Sequence, residues 1–169
     1  MAVNLFTFVD LYRRQLDTAA HLLTKGAEFA VGQGASESDM LSWRLAEDMH
    51  PLAYQLTVVI NFARQWTARV ADLPAPQAIE ADLTVEQFQT EIAGARAWLE
   101  ALTPDQFEGR DDSPITFALG NGMEPTLPAG QWLSVFATTN LYFHLSMIYA
   151  ILRMKGVPIG KIDLFAAGL

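Results

Sequence analysis

QWLSVFATTNLYFHLSMIYAILRMK, residues 131–155, is the stretch whose reading decides the fold. No formally charged side chain occurs between positions 125 and 152, so the segment is either a membrane span or an inner helix of a soluble protein. Six of the 21 residues from Trp132 to Leu152 are polar, Asn140 and His144 among them. An amide and an imidazole are costly in lipid without internal partners. The pattern therefore predicts the most buried helix of a bundle, closed by Gly156 as a C-terminal cap with Pro158 shortly after.

Working outward, three more runs carry apolar residues at helical spacing. Leu5, Phe8, Val9, Tyr12, Leu16, Ala19 and Leu23 form the first stripe, which Gly26 is expected to end or kink. Residues 36–45 allow a helical turn or two. Asp48-Met-His-Pro51 then reads as the start of a second helix, because proline in a first turn forfeits no intrahelical hydrogen bond. Its stripe is Leu52, Leu56, Val59, Ala63, Trp66 and Val70, fading in Asp72-Leu-Pro-Ala-Pro76. A third helix opens with a capping box at Thr84-Val-Glu-Gln87 and carries Val85, Phe88, Ile92, Ala95, Leu99 and Leu102. Residues 103–130 form a long loop, a lid or covering flap, in which Asn121-Gly122 can turn a short hairpin between 115–119 and 123–127. The expected fold is all-α: an antiparallel four-helix bundle, one domain over 1–169, with that loop or hairpin between helices three and four.

Composition narrows the partners. The 169 residues carry 11 basic and 19 acidic side chains, a net charge of −8, so a phosphate backbone or an anionic membrane surface would be repelled. No nucleic acid and no membrane is expected as a partner. The chain has no cysteine, hence no disulfide, thiolate metal site or cysteine nucleophile. Asp10, Arg13, Arg14 and Asp17 interrupt any signal-peptide pattern, and the expected location is cytoplasmic. There is no Ser/His/Asp order, phosphate-binding glycine loop or His-Glu-x-x-His motif.

A bundle builds its sites from inward-facing polar side chains. On the last helix Leu133, Ala137, Asn140, His144, Ile148 and Ile151 share one sector. On the second, the stripe extended backwards from Leu52 reaches Asp48, with Gln55 on the same side; His50 falls with Thr57 and Asn61, nearer solvent. His21 sits with Asp17 and Lys25 on the polar face of the first helix. Asp48, Gln55, Asn140 and His144 are thus the candidate ligand-binding cluster. Each also has a structural reading: Asp48 as an N-cap paired with Arg44, Asn140 and His144 as a satisfied polar patch in the core. Trp43, Trp66, Trp98 and Trp132 read as packing.

Asn140-Leu-Tyr-Phe-His144 followed by Tyr149-Ala-Ile-Leu-Arg153-Met-Lys-Gly156 resembles the last helix of the DinB/YfiT-like superfamily. Together with Arg44-Leu-Ala-Glu-Asp48-Met-His-Pro-Leu52 and Gly160-Lys-Ile-Asp163, the chain resembles an uncharacterised branch of it, a domain of unknown function. The resemblance implies a four-helix bundle, often a homodimer. It also implies, for many members, a divalent metal held by one histidine of the second helix and a His-x3-His pair on the last, and relatives that are transferases or isomerases using low-molecular-weight thiols. Carried over, the pair falls on Asn140 and His144, and the second-helix ligand on Asp48, with His50 as runner-up. One imidazole, one carboxylate and one amide oxygen suit a zinc or nickel ion less well than three histidines. Two expectations stand side by side: a small-molecule or degenerate metal site between helices two and four, and a non-catalytic dimeric domain whose polar cluster fixes helix register.

Overall fold

The computed structural model describes residues 4–166. Its first helix, α1 (Thr7–Gly32), buries Val9, Tyr12, Leu16, Ala19 and Leu23 as the spacing predicts. Gly26 does not end it. A Cβ at that position would lie 2.7 Å from Leu152 Cδ2 and 2.9 Å from Met40 Sδ, so the glycine lets two neighbouring elements close onto the helix. Met40 belongs to a short helix, α2 (Glu37–Leu41), opened by a capping box in which Ser36 and Asp39 exchange hydrogen bonds.

The second long helix, α3 (Leu52–Val70), starts later than the sequence reading placed it, with Pro51 as its N-cap and no side-chain cap. The Leu52 amide donates instead to the Trp43 carbonyl at 2.8 Å. Along α3, Thr57, Asn61, Arg64 and Gln65 bond to the backbone of the extended segment that follows; the Asn61 amide is the firmest link, giving and receiving bonds of 3.0 Å with Ile79. The next helix, α4 (Val85–Glu100), has the predicted Thr84/Gln87 capping box, and its whole stripe is buried.

Residues 103–130 are ordered by their own turns. After a 3-10 turn at Pro104–Phe107, strands β1 (Pro114–Thr116) and β2 (Thr126–Pro128) pair antiparallel, with Ile115 opposite Leu127. Asn121 and Gly122 turn the hairpin at φ values of 50° and 77°, the left-handed pair that matches strand twist. The Trp132 indole N–H donates to the Ile115 carbonyl at 2.8 Å and pins the hairpin to the last helix.

That last helix is continuous but not uniform: α5 (Ala129–Gln131), a π-helical segment (Trp132–Ala137) and α6 (Thr138–Met154). The Leu133 carbonyl within the widened turn accepts the hydroxyl of Tyr12 at 3.1 Å and that of Thr138 at 2.8 Å. Opposite α3 the aromatic pairs run in reverse chain order, Trp66 with Trp132, Phe62 with Phe136 and Tyr54 with His144, so the two helices are antiparallel. The chain is mostly helical with one small sheet. Its apolar last helix is not the most buried: five of the 17 residues of α6 are buried, against twelve of 19 in α3. Phe143 stands on its uncovered side, whereas Tyr142, half exposed, accepts from Gln15 Nε2 of α1 at 3.1 Å. Beyond it a 3-10 turn, Lys161–Phe165, folds back on α1, where His21 Nε2 meets Asp163 Oδ1 at 2.8 Å.

Candidate functional site

Gln55 and His144 face each other between α3 and α6. Gln55 is 4% exposed, and its side-chain amide is fixed at both ends. Its Nε2 donates to the His50 carbonyl at 3.0 Å, just ahead of the start of α3. Its Oε1 therefore points to His144 Nδ1, 2.7 Å away, and can only accept. His144 Nδ1 carries the proton. Nε2 is left with its lone pair, and it has no hydrogen-bond partner among the described residues.

The surroundings keep the ring neutral. Burial, with a smaller contribution from the nearby His50 imidazole, lowers the His144 pKa from the usual 6.5 to about 4. Three aromatic groups frame it. Tyr54 presents an edge at 6.2 Å between centroids, Phe143 another at 5.2 Å, and His50 stacks on Tyr54 at 3.8 Å. A neutral imidazole with a free acceptor nitrogen and apolar walls can hold a hydrogen-bond donor of a small molecule.

Of the four candidates, the structure brings together Gln55 and His144 alone. Asn140 shares the sector of His144, as read, but its Nδ2 donates to the Phe136 carbonyl one turn back at 2.8 Å. Asp48 is exposed and, among the described residues, makes no side-chain hydrogen bond or ion pair. It does not cap α3, and Arg44 donates to the Glu47 carbonyl rather than to it. The reason is the late helix start: a wheel drawn back from Leu52 assigns directions to 48 and 50 that a non-helical segment does not follow. His50, read as nearer solvent, is exposed as expected, yet its carbonyl and ring both serve the site. Tyr54 was missed. Its signal was the spacing of four between His50 and Tyr54, hidden because only one of the two lies in the helix.

Among the described residues no three His, Cys, Asp or Glu side chains converge as metal ligands. His144 Nε2 could supply one donor, whereas a bound zinc or nickel ion needs about three or four from the protein. The residues present do not fit a resident divalent metal.

The profile of a family described as "Domain of unknown function (DUF1993)" matches residues 6–165. Among solved structures the chain is similar to a DinB family member protein from Shewanella denitrificans, with a TM-score of 0.84 and 26% identity over 92% of this chain and 88% of that one. No curated protein matches.

Proposed function

From the premise that the chain belongs to the DUF1993 family, a branch of the DinB-like superfamily, we propose that it binds a small molecule between α3 and α6, with neutral His144 as the accepting group. On this reading α1, α3, α4 and the α5–α6 helix form an antiparallel four-helix bundle, one cytoplasmic domain free of nucleic acid and membrane. The observation that carries the proposal is the Gln55 to His144 hydrogen bond, which fixes the imidazole tautomer and leaves Nε2 open.

The magnitude of the pKa selects the role. A general base works best when its pKa lies near the operating pH. At about 4, His144 accepts a hydrogen bond well and removes a proton poorly, so it orients a donor rather than deprotonating a thiol of pKa near 8.5. The resemblance makes low-molecular-weight thiols the first compounds to try. The test is a thermal-shift series with cysteine and glutathione and with their S-methyl forms, run on the wild type, His144→Gln and Gln55→Leu. A stabilisation seen in the wild type and absent from both variants is expected; equal shifts in all three, or none in any, reject the reading. Elemental analysis of untagged protein and a zinc titration belong to the same test, with no stoichiometric uptake expected.

One observation favours a second reading. Gln55 is buried and bonded at both ends, which is also how a polar pair that only fixes helix register would look. The fully apolar double variant, Gln55→Leu with His144→Leu, separates the two. Unchanged stability together with unchanged thermal shifts supports register alone.

A further inference from the structure

A hollow lies one helical turn from His144 and uses none of its groups. The hairpin forms one wall, with Leu119 and Leu127; the π-helical segment forms the other, with Trp132, Val135 and Phe136; Asn140 closes one end. Its volume is about 460 Å³, within the range of roughly 300–1,000 Å³ usual for small-molecule sites. Leu119 and Val135 remain 38% and 63% exposed, so the hollow opens to solvent with apolar surface at its mouth.

Three further features bear on what would fill it. First, no charged residue lines it, in a chain whose net charge is −8. A charged ligand would lose hydration there and find no counter-ion, whereas a neutral one would not pay that penalty. Second, Asn140 spends an N–H on the Phe136 carbonyl, which leaves Oδ1 without a partner among the described residues and able to accept. Third, the wall is a π-helical turn, a disfavoured geometry that recurs at functional sites. It is held here by side chains: Ser134 Oγ donates to the Gly130 carbonyl, and Tyr12 and Thr138 crowd the Leu133 carbonyl.

We infer that this hollow is a binding site for an uncharged, mostly apolar molecule of one or two ring systems, carrying one donor that reaches Asn140. Its concavity and lack of charge set the ligand class. The inference does not rest on His144.

Two dyes of one skeleton test it. N-phenyl-1-naphthylamine is neutral and has one N–H; 1-anilinonaphthalene-8-sulfonate adds an anionic group. The neutral dye is expected to bind the wild type with enhanced fluorescence, at least tenfold more tightly than the sulfonate, and to shift the Trp132 indole cross-peak in ¹H–¹⁵N spectra. Val135→Glu, at an exposed position, should weaken it at least tenfold, and Leu119→Glu does the same if the first variant fails to fold. His144→Gln should leave it unchanged, which separates failure of this site from failure of the histidine site. Equal affinity for the two dyes, no shift of the Trp132 peak, or binding that survives the mouth variants overturns the inference. So does a chain whose mouth variants turn a dimer into a monomer without changing dye affinity, since a second copy would then be the occupant.

Discussion

At the residue scale, His144 makes the clearest statement about pH. Its folded pKa is lowered, so between the unfolded value near 6.5 and about 4 the unfolded chain binds more protons than the folded one. Its neutral, half-buried state costs nothing above that window. As pH falls through it stability declines, and the loss is complete below the folded value. Melting temperatures at pH 7.5 and pH 5 should therefore differ more in the wild type than in His144→Gln; an identical difference would remove the half-buried imidazole from the acid response. Histidine ¹⁵N shifts should also show Nδ1 protonated from pH 5.5 to 8. Much of this was legible in sequence, since helical spacing alone places Gln55 and His144 on facing stripes. The roles of His50 and Tyr54 were not, because a proline N-cap changes chain direction where periodicity has nothing to count. Asp48 shows the same limit from the other side: an acid before a helix reads as a cap only if the helix begins where expected.

At the scale of elements, the stripes of α1, α3 and α4 were readable because leucine, isoleucine and valine repeat there with little interruption. Gly26 misled, since a glycine required by two approaching side chains looks the same in sequence as one that stops a helix. The two possibilities predict opposite substitutions. In α4, Gly94→Ala meets nothing within 4 Å and should raise stability by about 0.5–1 kcal/mol from helix propensity and a less entropic unfolded chain. Gly26→Ala gains the same propensity but displaces Leu152 and Met40, at a repacking cost of about 1–3 kcal/mol, so a net loss of about 1 kcal/mol is expected. Urea denaturation of the two variants checks this; a stabilised Gly26→Ala would mean that those side chains yield freely. The π-helical turn was invisible for a different reason. A projection at 100° per residue assumes the geometry that this turn departs from, and the side chains holding it come from as far away as Tyr12.

For the whole molecule, the apolar last helix gave the right element and the wrong surroundings. Composition reports how readily a segment leaves water, and says nothing of how many neighbours arrive to cover it. Here α3 and α1 cover one side, where Tyr142 bonds to Gln15 of α1, and Phe143 on the other stays 54% exposed. We propose that a second copy of the chain covers that face. No charge lies between residues 125 and 152, so two such faces can meet without the repulsion that a net charge of −8 sets up elsewhere. Light scattering behind size exclusion should give a dimer for the wild type and a monomer for Phe143→Glu, with helical content preserved; a monomeric wild type at ~100 µM rejects it.

The antiparallel pairing of α3 with α6 also bears on how the chain is made. Synthesis runs from the N-terminus, so Tyr54, Phe62 and Trp66 leave the ribosome well before His144, Phe136 and Trp132 exist to meet them. At roughly 5–20 residues per second the wait is about 3–18 s. For that interval the aromatic side of α3 is an exposed sticky surface, and the extended segment that bonds to its polar edge is the next native partner to follow it from the ribosome. Changes that loosen this strap, such as Asn61→Ala, would then cost more in yield of soluble protein during expression than in the stability of the finished fold.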